Sequence, residues 1–114
     1  MTEVFDRQEL LEELDGDQEF LEESLDMLDA DSPTLIDQIR TGIADSDAEK
    51  IRIAAHTIKS MVGNFCATPA FEAALRVETI GQSGDLAECS AGLQALEDEV
   101  NRLRRELRTF LDEL

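Results

Sequence analysis

The last third of the chain carries the pattern that most restricts its fold. Apolar residues recur there at alternating spacings of three and four, at Leu86, Cys89, Leu93, Leu96, Val100, Leu103, Leu107 and Phe110. This spacing places them on one side of a long α-helix. Apolar residues follow helical spacing through nearly all of the remaining chain, without the strict alternation of strands. The sequence therefore predicts an all-α fold.

Boundary signals divide the chain into one short and four long helices. Asp6 with Glu9 resembles a capping box, Asp15-Gly16 ends the short helix, and Asp17 begins a long one. The three later helices begin at residue pairs typical of helix N-termini, namely Ser46 and Glu49, Thr68 and Pro69, and Asp85 and Glu88. We expect the third helix to end near Ala67 and the fourth to span about 69–82. The residues of the fourth helix that are expected to face inward are Ala70, Phe71, Ala74 and Val77. With no repeat and no linker, residues 1–114 should form a single domain, an antiparallel four-helix bundle with a short extra N-terminal helix.

Pro33 leaves two interpretations open for the first long helix. Ser32-Pro33 suits the start of a separate helix, but a proline inside one bent helix from about 17 to 44 is also possible, at a cost of about 3 kcal/mol. We favour the single helix because Pro33 points outward and the apolar residues keep one phase on both sides of it, at Leu21, Leu25, Leu28, Leu35, Ile39 and Ile43.

The stretch from Ser46 to Cys66 contains the only histidine, His56. Its apolar residues form one broad buried stripe, made of Ile51, Ala54, Ala55, Ile58, Met61, Val62 and Phe65. His56 points away from this stripe, with the small Ser60 and Gly63 beside it and two cations, Arg52 and Lys59, on the same side. A lone exposed histidine is usually an ordinary surface residue. Here the clearance and the local positive charge favour a reactive side chain.

These residues carry a resemblance to a known family. AAHTIKSMVGNF resembles the phosphorylation-site helix of histidine-containing phosphotransfer (HPt) domains, whose pattern is roughly H-x-(L/I)-K-G-x-x-(G/A). The resemblance extends to Val77-Glu78, to the turn Gly84-Asp85-Leu86 and to the helix start at 16–21. Two departures are Ser60 and Cys66, which stand where the family commonly has glycine. Both are expected to tighten the clearance around His56.

The resemblance implies a function in a two-component phosphorelay. His56 would accept a phosphoryl group from a receiver-domain aspartate and pass it to another receiver, with receiver domains and a hybrid sensor histidine kinase as partners. Glu78 would hold the N–H of the non-reacting imidazole nitrogen, and Lys59 would offset phosphoryl charge as a mobile cation. Lys59→Ala should then leave stability nearly unchanged. Partner docking would use Arg52, Ile53, Ser60 and Gly63. The chain would need no cofactor of its own, since Mg²⁺ is expected on the receiver.

Composition excludes several other classes. Ten basic and 27 acidic residues give a net charge of −17, which argues against nucleic acid, because that affinity depends on neutralising phosphates. No apolar run of about 20 residues occurs and MTEVFDRQ lacks the order of a signal peptide, so we expect a cytoplasmic monomer without membrane contact. Cys66 and Cys89 lack metal-ligand spacing and are expected to face the core, with no metal site.

Two rival functions share the predicted fold. A helical docking or adaptor module would leave His56 merely exposed, and an enzyme would use His56 as general base. The second rival lacks a convergent catalytic group other than Glu78. No GxxxxGK(S/T) loop or Gly-rich strand-to-helix turn is present, so we expect a phosphotransfer intermediate with no nucleotide or kinase site rather than an enzyme. If 114 residues are the whole chain, it would be a free-standing shuttle.

Overall fold

The computed structural model describes residues 3–114, which form five α-helices. They are α1 (Arg7–Leu14), α2 (Gln18–Ala44), α3 (Ala48–Gly63), α4 (Thr68–Ser83) and α5 (Cys89–Glu113). No strand occurs in this part of the chain. Helices α2 to α5 form the bundle, in which α3 packs between α2 and α4, and α5 closes the other side against the same two helices. The predicted all-α bundle with a short extra N-terminal helix is confirmed.

Contacts between the helices show that neighbours run antiparallel. Between α2 and α5, Arg40 pairs with Glu97 near one end and Asp29 pairs with Arg104 farther along. The later residue of α2 therefore meets the earlier residue of α5. Because the connecting turns are short, consecutive helices must reverse direction, and their apolar faces meet in one core. The side chains buried most completely include Leu21, Leu25, Leu28, Ile51, Ile58, Leu96, Leu103 and Leu107.

The structure confirms two predicted helix starts and corrects a third. Asp6 and Asp17 cap α1 and α2, each accepting a hydrogen bond at 3.0 Å from the backbone N–H three residues on. The prediction that Ser46 caps α3 is wrong. Ser46 has a φ of 54°, and Asp47 accepts the bond from the Lys50 amide at 3.1 Å. Both residue types are good N-caps, so the pattern alone did not separate neighbouring positions.

Three other boundaries differ from expectation. Helix α3 ends at Gly63, before the turn in which Cys66 has a φ of 55°, and not near Ala67. Helix α4 begins at Thr68, with Ala67 at the N-cap position, so Thr68 does not cap it. Helix α5 begins at Cys89, because the Asp85 carboxylate binds the Ala87 amide within the turn and starts no helix.

Pro33 lies inside one continuous helix, as favoured. Its side chain is exposed, while Ser32 and Ile36 face the core. The predicted stripe is therefore shifted slightly, and Leu35 and Ile43 are only half-buried. The reason is the 3.6-residue period, which turns a long straight stripe around the helix.

Two arginines in the C-terminal half of α5 bind an aspartate of α2. Arg104 Nε and Arg108 Nη2 donate to the two oxygens of Asp29 at 2.7 and 2.8 Å. Burial of Asp29 would raise its pKa, but these hydrogen bonds outweigh burial and hold the pKa below its usual value. These contacts join α5 to α2 on the solvent-facing side of the two helices.

Among residues 3–114, no helix combines the length and the apolar character that crossing a membrane requires.

Candidate functional site

His56 lies in the middle of α3 and points to solvent, as the sequence predicted. Its side chain is 56% exposed, while Ile51, Ala54, Ala55 and Ile58 of the same helix are buried. The buried residues fix the rotation of α3 and so determine which way the imidazole faces.

A buried carboxylate from the neighbouring helix holds the imidazole. The side chain of Glu78 on α4 is only 7% exposed, and its Oε2 lies 2.7 Å from His56 Nδ1. Its other oxygen, Oε1, lies 2.6 Å from the ammonium of Lys59. The family resemblance implied the contact of Glu78 with His56, and the structure adds Lys59 as a second partner. His56, Glu78 and Lys59 thus form one chain of contacts between α3 and α4.

The charges of Glu78 and Lys59 determine which nitrogen of the His56 imidazole carries the proton. The hydrogen bond from Lys59 lowers the pKa of Glu78; burial opposes this effect, and His56 adds to it. An ionised carboxylate can only accept hydrogen bonds, so the contact at 2.7 Å is one in which His56 Nδ1–H donates to Glu78. In the neutral ring the proton then resides on Nδ1, and Nε2 retains its lone pair. Of the two ring nitrogens, Nε2 is therefore the one available to react.

The structure changes the interpretation of Lys59. Its side chain is 20% exposed and its ammonium is bound to Glu78, so it is not the freely mobile surface cation that was expected. The ammonium also lies 5.9 Å from the centre of the Phe71 ring. Helix geometry correctly placed Lys59 on the polar side of α3, but the approach of a carboxylate from α4 could not be seen from α3 alone.

The expected docking residues are all on the outer side of α3, with different surroundings. Arg52 binds Glu49 on its own helix, with Nε donating to Oε2 at 3.1 Å, so its charge is engaged away from His56. Ile53 is 51% exposed. The Ser60 hydroxyl donates to the His56 carbonyl at 3.1 Å, which holds its side chain against the helix. Gly63 is exposed. Small groups thus lie at the i+4 and i+7 positions.

Two apolar residues near this surface were not predicted to be exposed. Phe71 was predicted to face inward, but it is 37% exposed, and Leu75, one turn further along α4, is 42% exposed. The prediction for Phe71 was wrong because the adjacent Ala70, which is buried, takes the core position. The spacing of Phe71, Leu75 and Glu78 does place all three along one edge of α4, and this signal was available in the sequence.

Cys66 is half-buried and packs against the edge of the core, beside α1. Its thiol donates to Glu13 Oε2 at 3.5 Å. Burial, reinforced by Glu13, raises the pKa of this thiol to about 12. Glu9, Glu13 and Cys66 have potential ligand atoms within 4.8 Å of one another, but a protonated thiol is a poor metal ligand. Cys89 is buried, as expected.

Comparisons with known proteins agree with this geometry. The family model described as Hpt domain matches residues 7–106. The crystal structure of histidine-containing phosphotransfer protein B (HptB) from Pseudomonas aeruginosa PAO1 is similar with a TM-score of 0.88 and 19% identity, over 100% of this chain and 99% of that one. At this identity the structural similarity shows the fold alone. No curated protein sequence matches the chain.

Proposed function

Since the chain belongs to the Hpt domain family and is thereby a histidine phosphotransfer protein of a phosphorelay, we propose that His56 is the residue that carries the phosphoryl group. The observation that carries this proposal is the contact at 2.7 Å between Nδ1 and the buried Glu78 carboxylate. It favours the tautomer in which Nε2 is the nucleophile, and the exposed face of α3 gives that nitrogen access to a partner.

The proposed transfer is a single displacement at phosphorus. The Nε2 lone pair forms an N–P bond while the bond from phosphorus to the receiver's aspartate oxygen breaks, and that electron pair leaves with the carboxylate. The ring gains positive charge and keeps its proton on Nδ1, where Glu78 stabilises it. In the reverse step a receiver's aspartate oxygen forms a bond to phosphorus, the N–P bond breaks, and the neutral imidazole leaves with its electron pair on Nε2 and its proton on Nδ1. Mg²⁺ would come from the receiver, and this chain would need no nucleotide site.

Lys59 would act mainly through Glu78. By keeping that carboxylate ionised, it keeps Nδ1 as the proton-bearing nitrogen. A direct role of Lys59 toward phosphoryl oxygens would require its ammonium to leave Glu78, to which it is bound at 2.6 Å. We therefore assign Lys59 to the positioning of Glu78 and not to phosphoryl binding.

Hpt domains work with receiver domains and histidine kinases, and for this chain we propose a docking face around His56. Ile53 on α3 and Phe71 on α4 would supply apolar contact, while Ser60 and Gly63 leave room for the receiver's aspartate. Arg52, although bound to Glu49, is close enough to the start of this face to contact a partner's rim. We propose that the chain acts as a monomer, because its site is complete within one copy.

Incubation with a phosphorylated receiver tests the assignment. The wild type should gain an acid-labile, base-stable label, and His56→Gln should gain none while keeping its helical circular dichroism. Gln8→Ala, in the remote helix α1, is a control and should label normally. An adaptor module would bind the receiver but remain unlabelled in both forms. Label on His56→Gln would show that another residue accepts the group.

A further inference from the structure

Helices α3 and α4 approach each other closely at Gly81. A Cβ atom added there would lie 2.9 Å from the Arg52 nitrogen and 3.0 Å from both the Ala48 oxygen and the Arg52 Cα. All three are backbone atoms of α3, so no rotation of a side chain can relieve the contact. Glycine inside a helix is less favourable than alanine, and this contact accounts for its presence. Any larger residue at position 81 would move the two helices apart.

The close approach lies one helical turn from the functional contacts. Gly81 follows Glu78 by three residues on α4, and Arg52 precedes His56 by four on α3. The separation of the helices at Gly81 therefore controls how far Glu78 must reach. Its two oxygens are already bound to separate partners on α3, at 2.7 Å to His56 Nδ1 and 2.6 Å to Lys59 Nζ. A carboxylate held at both oxygens cannot follow one partner without leaving the other.

We propose that Gly81 is a positioning residue for phosphotransfer. By allowing backbone contact between α4 and α3, it brings Glu78 within hydrogen-bond distance of His56 and so selects the Nδ1–H tautomer. The effect on transfer rests on the proposed role of His56 as phosphoryl acceptor. The effect on the imidazole tautomer does not depend on that role.

Gly81→Ala is the test, with the tautomer of His56 as the readout. Because His56 is the only histidine, nitrogen-15 NMR of the imidazole reports this residue without overlap. In the neutral imidazole of the wild type, Nδ1 should be protonated and Nε2 unprotonated. Gly81→Ala should show a mixture of the two tautomers. Transfer from a phosphorylated receiver should slow by about tenfold, since misplacement by about 1 Å can cost a hundredfold.

Gly42→Ala is the matched control. A Cβ at Gly42 would lie 2.8 Å from Ile51 Cγ1 and 3.2 Å from the Asp47 oxygen, so this glycine brings α2 and α3 together on the side away from α4. The variant carries the same helix substitution and also conflicts with α3, although the nearest atom there belongs to a side chain. It should be destabilised without any change in the tautomer or the transfer rate. If Gly42→Ala changed both as much as Gly81→Ala does, general loosening would explain the effect and the proposal would be overturned.

Glu78→Asp keeps the proposal testable if Gly81→Ala fails to fold. It shortens the carboxylate by one methylene and leaves the helix contact intact, so it should also release Nδ1–H and mix the tautomers. A wild-type tautomer in folded Gly81→Ala, or in Glu78→Asp where that variant alone folds, overturns the proposal. Failure of the proposed function would look different, because His56→Gln would still be labelled while the NMR of the unphosphorylated ring remained as predicted.

Discussion

Replacing Lys59 by alanine tests the ion pair beneath His56. The ammonium lies 2.6 Å from Glu78, and the two side chains are 20% and 7% exposed. Removing one partner of a fully buried pair costs about 3–5 kcal/mol. Here Lys59 retains some contact with water and His56 still donates to the second oxygen, so we expect a loss of about 2 kcal/mol. With an unfolding entropy of about 2.1 cal/mol/K per residue over 114 residues, Tm should fall by about 8 °C.

Urea and thermal unfolding, followed by circular dichroism at neutral pH, measure this loss. Lys50→Ala is the control on the same helix, since no ion pair of Lys50 is found within residues 3–114. It should change stability by less than about 0.5 kcal/mol. Lys59→Met keeps most of the apolar side chain without the charge, so it should lose nearly as much as Lys59→Ala. A loss for Lys59→Ala no larger than that of the control would refute the reasoning.

The dependence on pH provides an independent check. The pKa of Glu78 is lowered from 4.5 in the folded protein, chiefly by the hydrogen bond from Lys59. A lowered carboxyl pKa stabilises the fold above the unfolded value, and this stabilisation is lost as pH falls through the folded value. The difference between the wild type and Lys59→Ala should therefore be full at neutral pH and shrink as pH falls below about 4.5. A constant difference would point to lost packing against Phe71 and not to lost charge.

Two further substitutions test other parts of the structure. Asp47→Ala should cost about 1 kcal/mol in urea unfolding and Ser46→Ala less than about 0.5, because the bond at 3.1 Å to the Lys50 amide comes from Asp47; equal losses would contradict the revised cap. Gly63→Gln should keep α3 helical, since its Cβ would meet only the Phe71 ring at 3.6 Å. It should slow transfer from a receiver but not from a small phosphodonor, and equal slowing toward both would indicate a disturbed His56.

Periodicity predicted what depends on one helix at a time. The apolar spacing in the last helix gave its buried face, from Cys89 to Phe110, because burial of a helix face follows from the angle between successive side chains. The same argument predicted that His56 is exposed and that Pro33 lies within a helix. These features need no knowledge of the neighbouring helices.

Features that depend on the distance between helices could not be predicted in this way. Phe71 and Ala70 are adjacent apolar residues, and the packing of α4 in the bundle decides that Ala70 is the buried one. Lys59 points to solvent on an isolated helix, and it binds Glu78 because α4 approaches closely at Gly81. The contact of Glu78 with His56 was expected only from the family resemblance. The spacing of residues along the sequence does not show how closely α4 approaches α3.

Pro33 affects the way in which the native bundle opens. Four backbone hydrogen bonds would ordinarily cross the junction between Ser32 and position 33 of α2, and proline removes one, because it has no amide hydrogen to donate to Asp29. The Ser32 hydroxyl is buried and has no hydrogen-bond partner among the described residues. This junction thus has one backbone hydrogen bond fewer than a regular stretch of the same helix of 27 residues. In native-state hydrogen exchange, α2 should behave as two neighbouring units with separate opening free energies, so thermal fraying at its start need not spread to its end.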